Sequence, residues 1–313
     1  MLAFFLKRLA SLVFTMLAVS ALVFTAFEFT PGQVATKVLG PFSTQDQRDR
    51  LMEQLGLNRP VYERYFEWVW NVLHGDLGYS TLYKVPVNDI IWDRLGNTLM
   101  LAAIAFAVMV PLSILFGITA GMREGSKLDR TISIASIVTT SVPEFASGVF
   151  LASIFVIGLE WLPGTSPLDS SADWPIPYQL VLPVCVIVLY DLGYVVRMVR
   201  ASMVEVMTRP YIRTAVLKGL SFRDVILKHA LRNAMIAPFT VILLQINYMI
   251  TGVVVVEAVF AYPGFGRMLL DSALAQDVAT VEAASLFAVL VSVCTQIAGD
   301  LGYMMLNPRI RFS

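Results

Sequence analysis

The sequence predicts an all-α integral membrane protein with six transmembrane helices and both termini on the cytoplasmic side. Three observations carry that prediction. Of the 313 residues, 57% are hydrophobic and only 15% are charged, where a soluble domain of this size carries about 25% charge. Mean hydropathy is +0.70. Six apolar runs are also long enough to cross a bilayer, which takes about 20 residues at 1.5 Å rise over roughly 30 Å of hydrocarbon. Within lipid each segment has to pair its own backbone polar groups, so runs of this length form helices. The same composition excludes a disordered chain and a disulfide-stapled secreted module, and it speaks against a soluble enzyme. Lys plus Arg equals Asp plus Glu, 23 each, so only the placement of charge is informative.

The first run, Leu9 to Phe27, follows Lys7 and Arg8. A cleaved signal peptide has the same opening, but the length of the run and the five later spans favour an uncleaved helix. The second lies between Arg94 and Arg123, with no charge from Leu95 to Met122. The third runs from Thr131 to about Leu159 and is interrupted by Pro143 and Glu144. The fourth, about Tyr178 to Val196, contains Asp191. The fifth is Ala234 to Val256, and the sixth, about Ala283 to Tyr303, carries Asp300 near its end. The chain is therefore read as one transmembrane domain, 1–313. Residues 28–94 form an extracytoplasmic loop region and 203–233 a cytoplasmic hairpin.

Loop charge sets the orientation. The N-terminus, the loop between spans two and three, the loop between spans four and five, and the C-terminus together carry fifteen Lys and Arg residues, eight of them between Arg197 and Arg232. The loop between spans three and four carries none, and the loop between spans five and six carries Arg267 alone. The long first loop mixes both signs, and the rule does not apply to it.

Chemistry-bearing residues are sparse. Cys185 and Cys294 lie in apolar runs and read as small core residues. His74 and His229 stand alone, and no GxxxxGK[ST] loop occurs. The sequence therefore shows no metal site, nucleotide site, resident cofactor or nucleic-acid partner. Glu144 and Asp191 are intramembrane acids, which are costly and usually face a cavity or a partner. Two readings are open. In one they line a translocation path that favours a cationic or amine-bearing substrate, with Gln245 and Asn247 adding polar lining. In the other they pair with polar groups of neighbouring helices, Asp191 reaching towards Arg197. Gly252 suits close helix packing. Glu257, Tyr262, Pro263, Gly264 and Arg267 mark an external turn just beyond span five. Gly264 and Gly266 flank Phe265 in a tight turn with Pro263, without the strand that a dinucleotide site needs. Glu257 either contacts a delivery protein or holds the turn by a hydrogen bond.

The hairpin between spans four and five is the most specific feature. Thr208 is expected to cap a helix that begins near Pro210. Tyr211, Ile212, Ala215 and Val216 then share one face, with Arg213 and Lys218 off it. Gly219 ends that helix in a left-handed conformation, followed by Leu220. Ser221 caps the next helix with Asp224 as its capping-box partner. A stiff, basic, half-apolar helix between two spans either lies on anionic lipid or docks into a cytoplasmic motor.

The run Tyr211-Ile212-Arg213-Thr214-Ala215-Val216-Leu217-Lys218-Gly219-Leu220-Ser221, with Lys228-His229-Ala230-Leu231-Arg232-Asn233-Ala234 after it, resembles the coupling loop of ABC importer permeases in the oligopeptide/dipeptide/nickel branch. Four other stretches are similar to that branch. They are Lys7-Arg8 through Thr30-Pro31-Gly32, then Gln54-Leu55-Gly56-Leu57-Asn58-Arg59-Pro60 with His74-Gly75-Asp76-Leu77-Gly78, then Val256 through Arg267, and finally Asp300-Leu301-Gly302-Tyr303 with Asn307-Pro308-Arg309-Ile310-Arg311. Arg213 stands where the general motif has Glu. Gln276-Asp277-Val278-Ala279-Thr280 replaces the branch's usual element before the last span. Glu144 and Asp191 stand where small or neutral residues are expected.

The resemblance implies a type I ABC importer permease architecture and a transport subunit rather than an enzyme, forming half of a pathway for peptides or a related solute. It implies a second homologous permease subunit, two cytoplasmic ATPase subunits that hold ATP and Mg, an extracytoplasmic solute-binding protein, and surrounding lipid. Tyr211, Ile212, Arg213, Ala215, Lys218, Gly219, Leu220 and Ser221 are implied to couple to the ATPase. Glu257, Tyr262, Pro263, Gly264 and Arg267 are implied to face the binding protein. The class alternative is an ion-coupled secondary transporter, which needs inverted repeats and a coupling-ion site. An intramembrane enzyme would need a nucleophile with a base, and no span holds a histidine.

Overall fold

The computed structural model describes residues 2–28, 39–40, 42–54, 59–251 and 253–306. The side chains at 2–9, 27–28, 51–52, 54, 247, 251 and 300–306 lie outside that description. Thr30-Pro31-Gly32, Leu55 through Asn58, Gly252 and Asn307 through Arg311 therefore lie outside the described residues, as do the side chains of Lys7, Arg8, Asn247 and Asp300.

The chain is a succession of helices. Among the described residues the only extended pairing is one isolated bridge, Tyr79 with Pro86. In order the helices are α1 (Leu2–Glu28), α2 (Gln45–Gln54), α3 (Val61–Leu73), α4 (Val87–Gly121) and α5 (Lys127–Ser141). Then come α6 (Glu144–Gly158), α7 (Ile176–Met207), α8 (Pro210–Leu217), α9 (Phe222–Ala234) and α10 (Ile236–Thr251). Last are α11 (Val254–Val259), α12 (Phe265–Ala275) and α13 (Val278–Leu306). The later part of α6, Ser153–Gly158, and the middle of α9, Val225–Ala230, are wound as π-helix.

Helices α4, α7 and α13 are each long and apolar enough to cross a membrane unbroken. The third predicted span is not straight, and the fifth is entered at a bend. Helices α5 and α6 meet at a 102° bend, and α9 and α10 at 57°. The first break has a local cause: Pro143 cannot donate to the α5 ladder, and Val142 before it turns extended, at φ −88° and ψ 125°. Glu144 is thus the first residue of a new helix, with Pro143 at its N-cap. Helix α1 is apolar over Ala10–Ala26.

The molecule divides into two compact units. The first comprises residues 1–98 and 263–294. Its core gathers Leu77, Val87, Ile91 and Leu95 with Phe265, Met268, Ala283 and Ala284. Val87, Ile91 and Leu95 recur every fourth residue, so the opening turns of α4 present one apolar stripe. That stripe lengthens the second span beyond the charge-free run read from sequence. Asp277 is fully buried beside it. It accepts hydrogen bonds from the Ser80 hydroxyl at 2.5 Å, the Thr81 amide at 3.1 Å and the Thr280 hydroxyl at 2.7 Å.

The second unit comprises residues 99–262 and 295–313. Helix α7 is its spine, with Ile187, Val195, Val199 and Met203 fully buried. Helix α5 crosses α7 at Gly193, where a Cβ would sit 2.4 Å from the Ser136 carbonyl oxygen. Helix α4 approaches it at Gly117, where a Cβ would sit 2.4 Å from Val199 Cβ. Small residues at such crossings let backbones close without a lost contact. Cys185 and Cys294 are exposed rather than in the core. Apolar neighbours in sequence do not make a core position when the solvent is lipid, because both faces of a spanning helix are then apolar.

Candidate functional site

The hairpin begins where α7 stops. Thr208 does not cap α8 as expected. Its hydroxyl donates to the Glu205 carbonyl at 2.7 Å and closes α7. Arg209 takes the cap position, with Pro210 first in the helix. Ile212 and Ala215 are buried, while Val216 and Leu217 stand 54% and 79% exposed. The expected four-residue apolar face is therefore corrected: only Ile212 and Ala215 pack inward, with Val225, Ile226 and Ala230 of α9 in the same core. Tyr211 is exposed too, but its hydroxyl accepts from Asn233 Nδ2 at 3.1 Å, and Asn233 also donates to the His229 carbonyl at 3.0 Å. This tie between the two arms was not visible in the sequence, where the motif residues Tyr211 and Asn233 stand twenty-two positions apart.

Gly219 adopts φ +78°, with no described atom within 4 Å of the place a Cβ would occupy. This is the left-handed end expected of it. Ser221 caps α9, accepting from the Asp224 amide at 3.2 Å and donating to Asp224 Oδ2 at 2.6 Å. Lys228 reaches Asp224 Oδ1 at 2.6 Å. Lys228 first, then Ser221, hold the Asp224 carboxyl below the usual carboxylate range. Val216, Leu217, Leu220 and Phe222 are all exposed around the hairpin tip, with Arg213 and Lys218 exposed beside them.

The hairpin hangs from a braced helix. Arg200 of α7 forms a two-pronged ion pair with Asp129 of α5, Nη2 to Oδ2 at 2.8 Å and Nε to Oδ1. Asp129 also accepts from the Gly125 amide at 2.9 Å and the Ser133 hydroxyl at 3.3 Å. Arg200 foremost, with the Gly125 amide helping, holds the Asp129 carboxyl well below its ordinary range.

The two intramembrane acids come together with polar and aromatic groups from three helices. Glu144 is buried and Asp191 fully so. Asp191 Oδ1 accepts from Gln245 Nε2 at 2.6 Å, and Tyr248 lies beside Glu144. Tyr248 stacks on Tyr190 with ring centroids 5.7 Å apart, and Tyr190 meets Tyr194 edge-on at 5.8 Å. Among the described residues, Asp191 Oδ2 and Glu144 Oε1 have no hydrogen-bond partner. The expected reach of Asp191 to Arg197 is corrected: Arg197 donates to the Gly193 carbonyl at 3.1 Å and lies 5.2 Å over the Tyr194 ring. The Asn247 side chain lies outside the described residues.

The external turn is built differently from expectation. Its positive φ falls on Ala261, at +51°, while Gly264 is extended and caps α12. Glu257 and Tyr262 are fully buried, with the Tyr262 amide bonded to the Glu257 carbonyl at 2.8 Å. Burial, then the Glu257 charge, pushes the Tyr262 phenol up. Both residues support the turn from within and cannot offer an outward surface. In the first unit the Pro263 carbonyl accepts from Asn97 at 2.9 Å. Arg267 is one-third exposed, 3.4 Å from Asp271.

The sequence matches known proteins along its whole length. Residues 113–312 match the family model described as binding-protein-dependent transport system inner membrane component. Residues 1–102 match the N-terminal model of the same membrane components. A putative peptide transport system permease protein of Brucella abortus is 36% identical over 315 residues, covering all of both chains. The glutathione transport system permease protein of Shigella flexneri is also 36% identical over the full length of both. The oligopeptide transport system permease protein of Bacillus subtilis is 32% identical over 316 residues, again full length. The ion-coupled alternative finds no support among these matches. Among the described residues, three helices are long and apolar enough to cross a membrane, or five if each bent pair is one span, and the matches cover the chain from end to end. The chain belongs to the family of binding-protein-dependent transport system inner membrane components, as a permease subunit of an ABC importer, a multi-pass transport protein of the bacterial inner membrane and not an enzyme.

Proposed function

We propose that this chain forms one half of a translocation pathway for peptides or a related small solute, in six spans with both termini cytoplasmic. Helix α1, the bent α5–α6 pair, α10 and the three long helices supply the spans. Residues 28–94 face outward and 203–233 form the coupling hairpin. The partners are a second permease, two ATPase subunits carrying ATP and Mg, and a solute-binding protein that brings substrate to the outer side.

The observation that carries this reading is the hairpin tip. Val216, Leu217, Leu220 and Phe222 leave water-exposed apolar surface next to Arg213 and Lys218, on a helix anchored by Ile212, Ala215 and Tyr211. An exposed apolar patch with a charged rim is what an interface presents. Gly219 and Ser221 set the angle between the two arms. ATP-driven closure of the ATPases would move α8 as a rigid lever and alternate the access of the pathway.

Glu144, Asp191, Gln245 and Asn247 are assigned to the pathway wall, where the orphan carboxylate oxygens suit an amine-bearing solute. Of the external turn, Pro263 and Arg267 are assigned to the binding-protein side, since Gly264 is buried with Glu257 and Tyr262. The test is a mild-detergent pull-down from native membrane. An ATPase and a second permease are expected to co-purify, and ATP-dependent uptake of amine-bearing solutes is expected to fall in Glu144→Gln and Asp191→Asn. A folded chain that purifies alone and transports without ATP overturns the reading.

A further inference from the structure

Helix α3 has no buried residue, yet it is mostly apolar. At 3.6 residues per turn its side chains sort into three arcs. Tyr65, Trp68 and Val72 share one. Tyr62, Phe66, Trp70 and Leu73 share the next, standing 64%, 68%, 64% and 75% exposed. Glu63, Arg64, Glu67 and Asn71 occupy the narrow remainder. A water-soluble loop helix would have no reason to expose four large apolar side chains in one stripe.

The first arc shows where α3 sits. The Tyr65 hydroxyl is 2.9 Å from the Ser20 hydroxyl of α1, and its ring meets Phe24 edge-on at 5.4 Å. Trp68 lies 6.3 Å from Phe24. An apolar cleft between the two helices is lined by Val13, Met16, Leu17 and Ser20 on one side and Trp68, Val72 and Leu73 on the other. All of these α1 residues fall inside its apolar run, Ala10–Ala26. On the same helix Phe14 and Leu22 are also exposed. The exposed stripe of α3 is therefore carried alongside the part of α1 that itself needs an apolar solvent.

Within the polar arc, Arg64 lies 5.8 Å over the Phe24 ring of α1, while the two acids share a cation. Arg59 pairs with Glu67 at 2.6 Å and approaches Glu63 at 3.8 Å. Tyr, Phe and Trp are the side chains that settle at the boundary between headgroups and acyl chains.

We propose that α3 is an interfacial membrane helix, its Tyr62, Phe66, Trp70 and Leu73 face sunk into the outer leaflet and its Glu63–Glu67 face turned to water. It tethers the outer end of α1 to the lipid surface. The proposal rests on the reading of α1 as a span with a cytoplasmic N-terminus.

The test is spin-label accessibility in the assembled transporter in phospholipid nanodiscs, on a Cys185→Ala, Cys294→Ala background. Labels are placed one at a time through Phe66→Cys, Glu67→Cys and Phe14→Cys, all exposed positions. At Phe66 oxygen collisions are expected to exceed those of a water-soluble nickel chelate severalfold, with the order reversed at Glu67. A chelate-accessible Phe66 would overturn the proposal, as would a Phe66 shielded from both probes, which means a protein partner covers it. Shielding that appears only when binding protein is added overturns it equally. Phe14 separates the two levels: a chelate-accessible Phe14 means that α1 does not span, so the underlying reading fails and the proposal with it. An oxygen-favoured Phe14 beside a chelate-accessible Phe66 means that the span stands and only the proposal fails.

Discussion

Arg200 grips Asp129 with both ends of its guanidinium fork, so the first turn of α5 is bolted to the last third of α7, about two turns before the α8–α9 hairpin departs. Asp129 is buried, and this geometry favours Arg over any single-point donor. The bolt lies on the structural route by which movement of the hairpin would reach the rest of the second unit.

Asp129→Asn is expected to destabilise the chain by about 2 kcal/mol at neutral pH, through loss of charge-assisted bonds to a half-enclosed Arg. Arg200→Lys should lose less, because one prong survives. The lowered carboxyl means that the stabilisation is fully present above the unfolded value of about 4 and fades as pH falls below it. Thermal unfolding in detergent at pH 7 and in the acid range below about 4 checks this: the gap between wild type and Asp129→Asn should narrow on acidification.

Gly219 supplies a conformation rather than a contact. At φ +78° with open space around it, Gly219→Ala should cost about 1 kcal/mol of backbone strain and little packing. Gly219→Pro cannot reach that φ at all. We expect it to keep assembly but to uncouple ATP hydrolysis from uptake, while Gly219→Asn retains coupling. Parallel ATPase and transport assays on the purified complex decide the matter.

Leu217 is the most exposed large apolar residue of the hairpin. Leu217→Ser should leave the thermal stability of the chain within about 0.5 kcal/mol of wild type. It should weaken capture of the ATPase about tenfold, the loss of one well-packed anchor. Unchanged capture would remove this face from the interface.

Asp277 clasps the Ser80–Thr81 turn from the start of α13. Asp277→Asn should destabilise the first unit by about 2 kcal/mol, since a buried acceptor of several donors is replaced by one that also brings donors of its own. Ser80→Ala should cost about 1 kcal/mol. Limited proteolysis of the residue 74–86 segment reads out both.

Two glycines should respond in opposite directions to the same change. Gly193→Ala drives a methyl group into the Ser136 carbonyl and should cost about 1–3 kcal/mol. Gly96 has no described atom within 4 Å of its Cβ position, so Gly96→Ala within α4 should stabilise by about 0.5–1 kcal/mol. Melting temperatures of the two variants in one detergent give the comparison.

Much of the functional reading was legible in residue order, because it rests on local rules. The Gly219 end of α8 and the Ser221 cap of α9 follow from backbone conformations that only a few residue types favour. What failed were the statements that needed a neighbour. Thr208 was expected as a cap, but the end of α7 engaged it first. Val216 was expected on an inward face, but the partner helix reaches only as far as Ile212 and Ala215. Tyr262 was implied to face a binding protein, yet it is enclosed, as is Glu257, for which holding the turn had been the other reading.

By itself the sequence determined that this chain is helical, apolar enough for a bilayer, and built around one basic hairpin, since length, hydropathy and capping act within a few residues of each position. Only the tertiary structure decided the meeting of Glu144, Asp191, Gln245 and Tyr248, the Arg200–Asp129 bolt, and the Asp277 clasp on Ser80. The physical reason is range. A cap or a spanning run is settled by neighbours in the chain, whereas a buried polar group is settled by whichever distant donor the packing of whole helices brings to it.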